Sequence, residues 1–157
     1  MEPLGYALEM REEVLKQYFL HGKTIRELAD DLRGSVSRLD AIASSVKIMD
    51  MQDSFLVESR HALMLCDEFL SNNLGPEEIE TIAFALIASD RFEWKDEILS
   101  EVIHDWSAPE INFPLNHATI QMHRDWLTGA SVPAPRPSLS SYGKTRRVIS
   151  RREKVSI

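Results

Sequence analysis

Two tetrads have the residue types and spacing of a metal half-site. Glu58-Ser59-Arg60-His61 and Glu101-Val102-Ile103-His104 are both Glu-x-x-His. Carboxylate di-metal bundles use that i, i+3 pair twice, adding a lone Glu from each of two further helices. Glu12 and Glu80 are of the right type for those two places. Helical phase sets the half-sites apart. At about 100° per residue, Glu58 falls between Leu65 and Phe69 in an apolar sector, whereas Glu101 and His104 lie opposite Ile98, Val102 and Trp106. One half-site would point inward and the other outward, so the spacing predicts solvated helix faces, with neither metal nor cofactor. His117 and His123 stand six apart and share no helix face, and no cysteine pair supplies zinc-ligand spacing. Cys66 is the single cysteine, and its acidic neighbours Asp67 and Glu68 oppose thiolate formation. No Gly-x-Ser-x-Gly occurs, and the six glycines are isolated, so neither a nucleophile elbow nor a phosphate loop is expected. The chain reads as a non-enzyme; a di-metal enzyme on Glu58, His61, Glu101 and His104 is the minor alternative.

Residues 13–47 carry a second pattern. Lys23-Thr24-Ile25-Arg26-Glu27-Leu28-Ala29-Asp30-Asp31-Leu32 is followed by Arg33-Gly34-Ser35 and then Val36-Ser37-Arg38-Leu39-Asp40-Ala41-Ile42. About a fifth of the chain thus resembles the helix-turn-helix of bacterial sigma factors and similar regulators. Ala29 matches the small residue where the two helices touch, and Leu28, Leu32, Leu39 and Ile42 match the buried positions. The resemblance implies a second helix in the major groove, with Ser35, Ser37 and Arg38 facing DNA. Asp30, Asp31 and Asp40 crowd that same face, and phosphate neutralisation calls for Lys and Arg instead. A plain helical hairpin over 24–47 gives the same apolar pattern.

Charge is divided along the chain. The formal net charge is −7 over 157 residues, but residues 136–157 hold seven basic residues against Glu153, a net of +6. Residues 77–110 hold ten carboxylates against Arg91 and Lys95, a net of −8. Acids at helix starts are ordinary, and Glu77, Glu78, Asp96 and Glu97 fit that description. The others stand with aromatics, as in Glu93-Trp94 and Asp105-Trp106. Aromatic anchors inside a carboxylate rim suit a basic protein partner, giving affinity and a fast on-rate respectively. The expected contact residues are Glu93, Trp94, Glu97, Glu101, Asp105, Trp106 and Glu110, with an inhibitor, immunity-like or adaptor role. Bacterial immunity proteins, which are often small, acidic and helical, are similar in kind. In the tail, Arg146, Arg147, Arg151 and Arg152 form two basic pairs that suit a polyanion or the acidic body itself. Nucleic acid is the alternative partner, through residues 24–47 or the tail, and a second copy of the chain is a further candidate.

The elements that must position these groups are helical. Apolar spacing predicts helices over 4–20, from Thr24 to about Leu32, from about Val36 onward, over 77–88, 95–106, and from an Asn116 cap to Thr128. Nothing between Ile48 and Asp53 breaks a helix strongly, so the third is expected to run on toward Ser71. Pro109 and Pro114 interrupt 107–115, and Gly129 ends the last helix. The expected fold is all-α: a compact bundle of about six helices over 1–129, with an acidic, aromatic-rich half at 76–129. A Pro/Ser/Arg-rich basic tail over 130–157 is expected to be disordered. The longest apolar run, Ile82–Ala88, is far short of the roughly 20 residues of a membrane span. The N-terminus lacks a secretory pattern, and one cysteine fits a reducing cytoplasm.

Overall fold

The computed structural model describes residues 9–33 and 47–134. As expected, the molecule is a helical bundle. Its six described helices are α1 (Glu12–Phe19), α2 (Ile25–Arg33), α3 (Ser59–Leu70), α4 (Pro76–Ala88), α5 (Glu97–Ser107) and α6 (His117–Thr128). Four very short strands accompany them: β1 (Glu9–Arg11), β2 (Lys47–Met49), β3 (Phe55–Leu56) and β4 (Phe92–Glu93). They form two separate parallel pairs, β1 with β2 and β3 with β4.

Local chemistry fixes most helix ends. Thr24 and Glu27 form the reciprocal capping box of α2: the Glu27 N–H donates to Thr24 Oγ1 at 3.1 Å and the Thr24 N–H to Glu27 Oε1 at 2.8 Å. Pro76 occupies the first turn of α4, where its missing N–H costs nothing. Asp96 caps α5 by accepting from the Ile98 and Leu99 N–H groups. Asn116 caps α6 by accepting from Thr119 at 2.8 Å, and Gly129 at φ 85° ends it in the left-handed conformation that glycine adopts without a Cβ penalty.

The strands overturn two sequence expectations. The first helix does not cover 4–20; its described part starts at Glu12, preceded by extended backbone pairing in register with 47–49. The Arg11 N–H donates to Asp31 Oδ2 at 2.8 Å, so the extended residue finds its partner on α2. Nor does a helix run on through 47–58. There the backbone bonds to distant segments: Met51 N–H to buried Glu12 at 3.1 Å, Phe55 N–H to the Arg91 carbonyl at 2.8 Å, and Val57 N–H to that of Glu93 at 2.7 Å. With those donors satisfied from elsewhere, the absence of a local breaker decides nothing. The expected helix from Val36 otherwise lies outside the described residues, as does the tail from residue 135 on.

The helices pack mainly as two pairs, α3 on α6 and α4 on α5, with α2 bridging α1 and α4. Between them lies one continuous core running from Val14, Leu15 and Phe19 through Ile79, Ile82 and Leu86 to Trp106 and Ile120. An aromatic cluster of Phe19, Phe55, Phe92 and His61 joins the β3–β4 pair to this core, with ring centroids 5.0–6.5 Å apart.

Candidate interaction surface

Folding divides the expected contact residues. Trp94, Glu101, Asp105 and Trp106 are buried, the last two completely. Glu93 is half-buried, and only Glu97 and Glu110 are exposed. The assignment of Trp94, Trp106, Asp105 and Glu101 to a partner-facing surface is therefore corrected. The cause is coverage: α4 packs along one side of α5 and α6 against another, so little of its circumference reaches solvent.

Inside that sandwich the structure builds a polar chain. Trp106 Nε1–H donates to His123 Nδ1 at 3.0 Å, and His123 Nε2 lies 3.2 Å from Asp105 Oδ2. Indole nitrogen is a donor only, so Nδ1 accepts and the ring proton sits on Nε2, where it donates to the carboxylate. Phe113 and Trp126 enclose the imidazole edge-on, at centroid distances of 6.0 and 5.0 Å. Asp105, Trp106 and His123 are all fully buried. The arrangement satisfies polar groups in a core and offers no face to a substrate.

The metal half-sites also come apart. Glu58 precedes α3 in extended conformation and is not in helical phase with it. Its carboxylate is exposed and receives Arg60 Nε–H at 2.8 Å. His61 is buried, and its Nδ1 accepts the Glu58 backbone N–H at 2.9 Å. Glu101, expected outside, is inside, while half-buried His104 donates from Nδ1 to the Ser100 carbonyl at 2.8 Å. Glu12 is fully buried at the start of α1, accepting from Met51 N–H. Burial pushes its carboxyl above the ordinary value, against the lowering effects of that bond and of Ser89. Among the described residues no three His, Cys, Asp or Glu side chains gather as a metal site.

What does reach the surface is a stripe that the sequence reading passed over. Along α4, Glu77, Glu80 and Phe84 follow at spacings of three and four, which stacks them on one helix face. Phe84 is 46% exposed and Glu77 is exposed, with Glu80 half-buried between them. The turn after α5 adds Glu110 and Ile111, the latter 71% exposed. That turn is held by the Ile111 and Asn112 N–H groups donating to the Ala108 carbonyl, at 3.1 and 3.0 Å. Glu80 ties the two parts together: its carboxyl is pushed up by partial burial, then by the charges of Glu110 and Glu77. All three influences act in the same direction, and none is a cation. On other elements, ion pairs form in Arg11–Asp31, Lys16–Asp53, Lys23–Glu27, Arg60–Glu58 and Arg124–Asp67. Spacings of 77, 80 and 84 were readable as one helix face; the approach of Glu110 was not, because the turn carrying it follows a different helix.

No family model, curated protein or solved structure matches the chain. The surface itself must carry the functional reading.

Ser35, Ser37 and Arg38 of the helix-turn-helix reading, and Arg146, Arg147, Arg151 and Arg152 of the tail, lie outside the described residues. On the described part of that motif, Asp30 is exposed and Asp31 holds Arg11 Nε–H at 3.1 Å. No described helix is long and apolar enough to cross a membrane.

Proposed function

We propose that this chain is a non-enzymatic binding protein, acting as an inhibitor, immunity-like protein or adaptor, whose α4 face engages a basic protein partner. The contact would comprise Glu77, Glu80, Phe84, Glu110 and Ile111. The observation that carries the reading is the crowding of Glu80 by Glu77 and Glu110 beside a half-exposed phenylalanine. Like charges held together cost stability in the free protein, and a cationic surface relieves that cost on binding. Phe84 and Ile111 supply the apolar area that charge alone does not, and an aromatic side chain is a common anchor of such contacts. The alternative is a helix-turn-helix DNA-binding regulator, whose base-reading residues Ser35, Ser37 and Arg38 lie outside the described residues.

The test is affinity capture from a native lysate with the full chain, beside Glu77→Gln/Glu80→Gln/Glu110→Gln and Phe84→Ala variants. A basic protein retained by the wild type and lost from both variants is the expected result, with retention falling as salt rises. Capture of no basic protein, or equal capture by all three baits, sinks the reading.

A further inference from the structure

We infer that the basic segment 136–157 of this same chain docks on the α4 face when no partner is present. The inference uses the face of the proposed function but concerns a different occupant. Three observations converge on it.

Charge is complementary: the net +6 of 136–157 meets a face carrying the carboxylates of Glu77, Glu80 and Glu110. The pattern is complementary as well. Arg146-Arg147 and Arg151-Arg152 bracket Val148 and Ile149, while on the body Glu77 and Glu80 share a helix face with exposed Phe84, and Glu110, whose charge reaches Glu80, is followed by exposed Ile111. Arginine forks suit carboxylates, and the aliphatic residues between them suit the phenylalanine.

Reach is sufficient. The described body ends at Ala134, and Arg146 follows twelve residues later. At about 3.3–3.6 Å per residue, that stretch spans about 40 Å when extended. A compact body of this size has a radius of gyration of about 13–14 Å and so an outer radius of about 17 Å, over which a stretch of that length covers an arc of about 135° from its anchor, most of the surface. Tethering also sets the local concentration of the segment in the millimolar range. Contacts far too weak to hold two separate molecules suffice within one. Docking of this kind would make the tail a competitor that an incoming basic partner must displace.

Limited trypsin digestion of the full chain tests this, because the segment's arginines are themselves the cleavage sites. Cleavage at Arg146–Lys154 is expected to be several-fold slower in the wild type than in Glu77→Gln/Glu80→Gln/Glu110→Gln at low salt. Raising salt to about 0.5 M, where the Debye length falls to about 4 Å, should bring the wild type to the rate of the variant. Circular dichroism of the variant should match the wild type, since the three side chains are not fully buried. A benzophenone amino acid at position 84 supplies an independent reading. Intramolecular cross-links into 144–155 are expected, and they should disappear when Arg146, Arg147, Arg151 and Arg152 are changed to Gln.

Equal cleavage rates, or cross-links found only between two chains, overturn the inference. If the tail proves unprotected while capture of a basic partner still needs Glu77, Glu80 and Glu110, this inference fails and the binding role stands. A protected tail with no captured partner gives the reverse.

Discussion

At His61, Nδ1 accepts the Glu58 backbone N–H, which puts the ring proton on Nε2, in a setting made by Phe19 and Phe55. Nε2 has no hydrogen-bond partner among the described residues. Burial first, and Arg60 second, hold the ring below the ordinary histidine value of 6.5. The sign follows from linkage. Below pH 6.5 the unfolded chain takes up a proton that folded His61 refuses, so stability is complete above that pH and falls as pH drops through the window beneath it. Urea titrations between pH 7 and 5 should show this decline, with a shallower slope in His61→Phe even though that variant loses the bond to Glu58. A different kind of dependence exists at His123, which serves Trp106 Nε1 and Asp105 at once. Replacing it by Leu removes a partner from two fully buried polar groups and should cost about 2–5 kcal/mol in urea unfolding. Cys66 is buried, and burial with Asp67 pushes its thiol up to about 12. Labelling with Ellman's reagent at neutral pH should therefore keep pace with global unfolding, and fast labelling of the native protein would contradict its burial.

At the scale of elements, α6 is a helix whose two ends are both set by local chemistry. Asn116→Ala should cost about 1 kcal/mol through the lost cap. Gly129→Ala should cost about 1–2 kcal/mol, because alanine in the left-handed region is strained. The two sites stand at opposite ends of a helix of twelve residues, about 18 Å apart at 1.5 Å per residue. Their effects should add within about 0.5 kcal/mol in a denaturant double-mutant cycle. Signals of this sort were legible in the sequence: the Thr24–Glu27 box, Pro76, Asn116 and Gly129 each act within their own turn, and the helices they bound were found where expected. The strands were not legible. Each is two or three residues long, too short for alternation to register, and each pairs with a segment far along the chain. Extended backbone at 47–57 follows from Glu12, Arg91 and Glu93 receiving or supplying its hydrogen bonds, which no local pattern encodes.

Over the whole molecule, the described cations and acids pair around α1, α2, α3 and α6, while the α4 face keeps Glu80 among like charges. With Arg146, Arg147, Arg151 and Arg152 changed to Gln so that the tail does not screen that face, neutralising Glu77, Glu80 and Glu110 should stabilise the fold. About 0.5–1 kcal/mol is expected at low salt, from like-charge terms of a few tenths each, shrinking toward zero near 1 M salt. The pH dependence has a definite sign. A carboxyl with a raised folded pKa disfavours the folded state when ionised, so the gain is full above that pKa, fades as pH falls from it toward the ordinary value of 4.5, and is gone below that value. Thermal melts at two salt concentrations and two pH values measure all of this. A variant no more stable than its parent at low salt would show that the three carboxylates do not repel one another appreciably.

The sequence by itself determined the helical class, most helix ends and the division between an acidic body and a basic tail, because caps and charge counts are local or additive. Only the tertiary structure decided which acids and aromatics of 77–110 face outward. Trp94, Trp106, Asp105 and Glu101 went inside because α5 is covered by two other helices, and Phe84 stayed outside because no described element covers that face of α4. Burial at any position depends on what packs against it from elsewhere in the chain, and a single helix's periodicity carries no record of how many neighbours it will have.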